Sequence, residues 1–416
     1  MERIEADLLI PGRGKPVRNG CVVLDGAEIA FAGPVEDAPK TPKAKTVGVP
    51  AVMPGMWDVH GHFLGIRTAN FDELPKTSAA VMAARSAKDA EKALQAGFTS
   101  IREVGGWGVH LAKVVDEGTI MGPHIYGAGA ALSQTGGHGD LHSYPLEAMA
   151  AFAKEEALSY LCDGVPECLK GVRVQLRLGA KVIKVLASGG VMSEVDNPMH
   201  QQFSDEELRA IVAEAGRSER LVAAHCHGKA GVLAALRAGC GTIEHGTYVD
   251  DEAADMMIEK GAILVPTRFV LERLLKHAKE AGVPDYAYQK LLMVEGVHAK
   301  NLKRAVKKGV RIALGTDIWM SDSNSANPWG ANAYELLHLV NAGMSPLQAI
   351  EAATATGPMT LGPQAPKSGQ LRVGYDADVL ALTKNPLSNI EVLTSPDTIT
   401  TIWKSGVSVK GLGRAD

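Results

Sequence analysis

The chain has 416 residues, 46% hydrophobic and 22% charged, an ordinary globular composition. Its 43 basic and 47 acidic residues leave a net charge of -4 with no basic run, so it lacks the footprint of a nucleic-acid-binding protein. The length suits a large barrel carrying a smaller satellite domain.

The N-terminal "MERIEADLLI" lacks the basic, apolar and small-residue zones of a signal peptide. No stretch approaches the roughly 18 apolar residues of a membrane span. The cysteines, Cys21, Cys162, Cys168, Cys226 and Cys240, are odd in number and form no C-x-x-C pair. They suit free thiols in a reducing compartment. The expectation is a cytoplasmic protein.

The first 50 residues read as short strands broken by turns. In "GCVVLDGAEIAFAG" two apolar runs flank Asp25-Gly26, a hairpin signal. Near the C-terminus, "GYDADVLALTKNP" and "TITTIWKSGVSVKG" are strand-like too. The two ends are expected to meet in one small β-sandwich domain, residues 1–53 with 364–416.

Residues 54–363 alternate strand and helix. Strand-like runs lie near 52–60, 98–103, 124–128, 181–187, 221–225, 241–245, 262–267 and 311–317. Ser204-Asp205-Glu206-Glu207 is a capping box ahead of Leu208, Ile211, Val212 and Ala215 at helical spacing. Ser345-Pro346 opens the helical "LQAIEAATA" in the same way. Eight strands alternating with helices predict an α/β fold, a (β/α)8 TIM barrel. Residues 140–168 fit this alternation poorly and read as a long excursion after the third strand.

Candidate chemistry sits at strand ends, which form the active face of such a barrel. His60 and His62 close "AVMPGMWDVHGH", two imidazoles on one side of a strand. Neutral imidazole ligates zinc and similar ions, although an isolated H-x-H is also met as a hydrogen-bonded structural pair. Lys184 lies within the apolar "GAKVIKVLASGG". Burying an ammonium is costly, so it is either ion-paired or, with its pKa lowered, able to add CO2. The resulting carbamate offers two anionic oxygens to bridge two cations. Lys181 competes, but it sits earlier on the strand.

His225 ends "RLVAAH" and His245 ends "GTIEH" on consecutive strands. Asp317 ends "RIALGTD" on the last strand. A carboxylate there can bind a metal and accept a proton from water, or simply cap the following segment. Each residue alone has a structural alternative. Five strand ends bearing ligand-type side chains are hard to assign to chance.

This order of residues resembles the amidohydrolase superfamily. The resemblance implies two Zn2+ or other divalent ions, one on His60, His62 and Asp317, the other on His225 and His245, bridged by carboxylated Lys184. It also implies a hydroxide nucleophile and a barrel with a small β-sandwich from both chain ends. "GAALSQTGGHGD", "GAKVIKVLASGGVMSEVDNP", "AHCHGKAG", "TIEHGTYVDDE", "GTD" and "GPQAPKSGQLRVGYDADVLAL" are similar to the ochratoxinase group, placed with the metal-dependent Xaa-Pro and Xaa-Arg carboxypeptidase-like amidohydrolases. The implied reaction hydrolyses the amide to a C-terminal amino acid, ochratoxin A being the emblematic substrate. A homo-oligomer, an octamer, is implied as well.

Within this scheme Asp317 shuttles the proton, and His138 in "QTGGHGD" donates to the developing oxyanion. His227 is assigned to the substrate α-carboxylate. Ser188 and Gly189 allow close approach of backbone to substrate. Trp319, with Met320 and Trp329 nearby, lines an apolar pocket. His227 and the Ser188-Gly189-Gly190 turn each have structural readings too. The expected partner is a small amide, not a nucleic acid or a membrane. The competing functions are a cyclic amide or imidazolone hydrolase, a deaminase, and a non-catalytic assembly relative. A one-metal deaminase needs no Lys184, and a non-catalytic relative need not keep all six ligand positions.

Overall fold

In the computed structural model, residues 1–154 and 158–411 are described. Part of the 140–168 excursion, residues 155–157, and the last five residues of the terminal segment lie outside them.

The two chain ends build one seven-stranded mixed sheet. Its order is Val407–Lys410, Ile399–Lys404, Val379–Leu382, Lys45–Pro54, Glu2–Leu9, Val17–Asp25 and Glu28–Pro34. Val379–Leu382 pairs antiparallel with Lys45–Pro54, which stitches the C-terminal segment to the N-terminal one. The hairpin signal is realised: Asp25 pairs with Glu28 across a turn in which Gly26 takes a φ of 59°. That left-handed conformation costs glycine nothing. Ile4, Leu24, Val52, Val379 and Trp403 fill the core of this sheet.

The rest is an α/β barrel. Met56–Ile66, Phe98–Glu103 and His124–Gly127 pair in parallel. Ile183–Leu186, Val222–Cys226, Thr242–His245, Ile263–Val265 and Arg311–Ile312 form a second parallel series. Backbone bonds join the two series. Lys181 N donates to Gly127 O at 2.9 Å on one side, and Val59 N donates to Leu314 O at 2.9 Å on the other.

Strand alternation divides the apolar residues between two layers. Ile183, Val185, Val222, Ala224 and Ile243 join the large cluster that includes the helices. Val59, Val182, Ala223, Val265 and Ala313 form a separate buried cluster. Lys184, between Ile183 and Val185, therefore projects on the side opposite them.

Both predicted capping boxes form, at Ser204 with Glu207 and at Ser345 with Gln348. The excursion holds helix Leu146–Lys154 and the short strand Ser159–Leu161. That strand pairs in parallel with Ala131–Ser133, which joins the sheet at Val185. All five cysteines are free and buried. Among the described residues no helix is long and apolar enough to cross a membrane.

Candidate metal centre

Six residues of the barrel strands and the turns that follow them converge on one cavity; the first strand runs on past His60 and His62 to Ile66. His60, His62, Lys184, His225, His245 and Asp317 all line it, with His138, His227 and Trp319. Two groups have ligand atoms within 4.8 Å of one another: His225, His227 and His245, and His60, His245 and Asp317. His245 belongs to both. His62 Nε2 lies 3.0 Å from Asp317 Oδ1, and His60 Nε2 lies 3.5 Å from the same oxygen.

The local backbone is bent to present these groups. Asp317 has a φ of 60° and His245 a φ of 65°, left-handed values unusual for such residues. Asp317 N donates to His60 O at 2.7 Å, so the bent segment stays bonded to the first barrel strand. His298 Nε2 donates to His245 O at 3.0 Å and braces the other bend. Gly61 separates the paired histidines where a Cβ would stand 2.7 Å from the Trp329 ring.

Each imidazole has one nitrogen held by the protein. His60 Nδ1 donates to Glu244 Oε2 at 2.7 Å, and His62 Nδ1 donates to Gly105 O at 2.7 Å. His225 Nε2 donates to Gly189 O at 3.2 Å. His245 Nδ1 is bonded to Thr267 Oγ1 at 2.7 Å, and His227 Nδ1 to Thr247 Oγ1 at 2.8 Å. His62 Nε2 also meets Asp317, and the second nitrogen of each other ring is left for another partner. This is how metal-binding histidines are oriented by outer residues.

Electrostatics favour the same use. Burial, reinforced by Lys184, pulls His60 down to about 4, and burial with neighbouring histidines holds His225 and His245 well below their ordinary value. Neutral imidazole is the form that ligates. Burial also pulls Lys184 down to about 8. Burial pushes Asp317 up, but His60 and His62 outweigh it and keep the carboxyl below its usual range. A set of neutral nitrogens, one carboxylate and a softened lysine fits divalent zinc-like ions.

The other expected residues are placed as follows. His138 stacks near His225, ring centroids 4.4 Å apart, and its Nδ1 is 2.8 Å from Ser193 Oγ. His227 stacks on His245 at 5.0 Å, so it joins the histidine cluster itself. Trp319 sits in the cavity wall, tilted against Phe71, and its Nε1 donates to Thr68 O at 3.2 Å. Ser188 is fully buried; its Oγ accepts from His227 N at 2.8 Å and donates to Gly189 O at 2.8 Å. From that loop it is Val191, Met192 and Ser193 that reach the cavity.

Three supporting residues escaped the sequence reading. Arg102 Nη2 donates to Glu244 at 2.7 and 2.8 Å, both side chains fully buried. Burial opposes the Glu244 charge, yet Arg102 and His60 hold this carboxyl well below its usual range. The available signal was the presence of opposite charges inside two apolar strands, "TSIREV" and "TIEH". Asp58 was also missed: it accepts from His60 N at 3.1 Å, Thr316 N at 3.1 Å and Asn332 Nδ2 at 2.7 Å, tying the first and last strand ends together.

This barrel, with histidines, a lysine and an aspartate converging on one cavity, has the arrangement of a hydrolase site whose groups could hold a divalent ion. The Amidohydrolase family pattern matches residues 51–409, and the chain belongs to that family. It is 46% identical to ochratoxinase from Aspergillus niger over 99% of this chain and 87% of that protein. The crystal structure of A. niger ochratoxinase superposes with a TM-score of 0.94 at 44% identity, covering 99% of this chain and 96% of the other. A Xaa-Pro dipeptidase crystallised with methionine in its active site gives a TM-score of 0.86 at 28% identity, covering 99% and 100%. The chain is a hydrolase acting on amide bonds.

Proposed function

We propose that this chain is a binuclear metal-dependent amidohydrolase that cleaves the amide joining an acyl group to a C-terminal amino acid. Carboxypeptidase, dipeptidase and N-acyl amino acid amidase activities all belong to this reaction class, and ochratoxin A is a candidate substrate. The observation that carries the reading is the convergence of two metal-ligand groups, sharing His245, with Lys184 in a cavity whose remaining wall is largely apolar.

His60, His62 and Asp317 would hold one ion, His225 and His245 the other, with a Lys184 carbamate bridging them. Bound there, divalent ions supply Lewis acidity toward the amide carbonyl and make water nucleophilic near neutral pH. Asp317 accepts the proton from the attacking water and returns it to the leaving amine, a role suited to a carboxylate held ionised at the cavity floor. His138 contacts the reacting amide. His227 meets the α-carboxylate of the leaving amino acid, and Ser188 with Gly189 fixes the turn behind it. Trp319, Leu271, Leu274 and Leu291 exclude water around an apolar acyl or aromatic group.

The same reading includes a cytoplasmic homo-oligomer, an octamer, and a division into a terminal domain of residues 1–53 and 364–416 and a barrel of residues 54–363. The test is a screen of N-acyl amino acids and dipeptides, ochratoxin A included, read by release of the C-terminal amino acid. Release from at least one such series, with loss on carboxyl-side truncation, supports the reading. Turnover of cyclic amides alone overturns it.

A further inference from the structure

Between strand Ile183–Leu186 and helix Asp205–Arg217 the chain leaves the barrel as a loop with a paired neck. Ser188 and Gln201 form an antiparallel bridge, Gly189 N donates to His200 O at 3.0 Å, and Gln202 N donates to Ala187 O at 2.9 Å. A loop closed at its base in this way takes its shape from what its tip touches. One side of the tip faces solvent, with Val195 73% exposed. The other side brings Val191 and Met192 into the cavity wall. Both pack in the apolar cluster that also holds Val270, Leu271, Leu274 and Leu291.

The tip is gathered on a single cation from another element. Lys290 Nζ donates to Ser193 O at 2.6 Å, to Asp196 O at 2.5 Å and to Gly190 O at 3.3 Å, and it lies 3.2 Å from Asp196 Oδ1. An ammonium has three N–H donors, so these four oxygens share them. The side chains of Lys290 and Asp196 are only 13% and 4% exposed. Water is therefore a poor substitute for the ammonium, and without it buried carbonyl groups lose their partner. One turn earlier on the same helix, the Tyr286 hydroxyl donates to Met192 O at 3.4 Å. That helix, Asp285–Lys308, is itself tied to the barrel. His298 Nε2 bonds His245 O at 3.0 Å, and Asn301 Nδ2 donates to Thr247 O at 2.8 Å.

We propose that Lys290 is a positioning residue that sets substrate selectivity. By drawing Gly190, Ser193 and Asp196 onto helix Asp285–Lys308, it fixes Val191 and Met192 as one wall of the apolar part of the cavity. A fixed wall favours a large apolar acyl group, which buries surface against it, over a small one, which does not reach it. Lys290 does not line the cavity, so its influence on the substrate passes through the loop. The substrate side of this inference rests on the proposed amide hydrolysis; the fixing of the loop does not.

The test joins amide hydrogen exchange, read by mass spectrometry, with kinetics on Lys290→Met, which keeps an apolar stem and removes the donors. Peptides covering residues 190–196 should exchange about tenfold faster or more than in the wild type, while those of helix Asp205–Arg217 keep their protection. Metal content by elemental analysis should match the wild type. The substrates are an N-acetyl and an N-octanoyl derivative of the same amino acid. For the octanoyl compound KM should rise roughly fivefold or more with kcat near the wild-type value, while KM for the acetyl compound stays within about twofold. If Lys290→Met melts below the assay temperature, Lys290→Gln, too short to span the same oxygens, is measured in the same way. Unchanged exchange over residues 190–196, or an equal rise in KM for both acyl groups, overturns the proposal. Failure of every amide substrate would overturn the proposed function and leave the exchange result standing.

Discussion

The Nδ1–H of His60 donates to Glu244 Oε2 at 2.7 Å inside the barrel, and that carboxylate is gripped by Arg102 from the far side. A candidate ligand is thus aimed by a charged pair that never reaches the cavity wall. Its other nitrogen, Nε2, points toward Asp317 at 3.5 Å.

Glu244→Gln keeps the shape but weakens this grip. Metal affinity is expected to fall by about 10- to 100-fold, as for other outer-residue changes around ligand histidines. Competition with a chromogenic chelator measures it. Removing one member of a buried ion pair also costs about 3–5 kcal/mol, so Arg102→Ala should lower the melting temperature sharply. Unchanged affinity in Glu244→Gln would remove its orienting role.

Lys184→Ala removes a cavity amine that burial has softened to about 8. Activity should drop to background. Acetate or another small carboxylic acid should restore part of it by occupying the bridging position. Full activity without added acid would show that no carbamate is needed.

Asp317→Asn separates binding from proton transfer. The amide oxygen can still ligate, so metal content should remain largely intact. Turnover should fall by roughly 10²- to 10⁴-fold, the usual scale for a lost acid–base group. The check is kcat beside metal analysis of the same preparation.

A separate pH effect arises at Glu335, which does not line the cavity. Its oxygens accept from Arg268 N at 3.0 Å and Phe269 N at 2.6 Å, but burial dominates and pushes the carboxyl up to about 8 from 4.5. Between those values the folded chain keeps a proton that the unfolded chain releases. This contribution to stability is fully present below the lower value and is lost as pH rises through the upper one. Glu335→Gln should flatten the fall in urea midpoint between about pH 5 and about pH 8. An identical slope in both proteins would place the titration elsewhere.

Much of the barrel, and the residues that converge on its cavity, were legible in the sequence, because a strand end is an address. An apolar run followed by His, His-x-His or Asp fixes both the depth and the face of the side chain. The hairpin at Gly26 and both capping boxes were legible for the same local reason. What stayed hidden is what joins distant segments. Glu244 and Arg102 stand 142 positions apart, and Ser193 and His138 stand 55 apart. No periodicity announces either pair. The strand Ser159–Leu161 is too short to show alternation, and it forms only by pairing with Ala131–Ser133. Ser188 illustrates a further difficulty. A glycine-rich turn looks open in sequence, whereas the hydroxyl is spent inside it on His227 N and Gly189 O.

The central claim is that these strand ends hold a pair of catalytic divalent ions, and metal content tests it most directly. Protein produced with zinc and exhaustively dialysed should carry about two ions per chain by elemental analysis. Chelation should remove the ions and the activity together, and added zinc should restore both. Full amide hydrolysis by protein with a metal content near zero would contradict the claim.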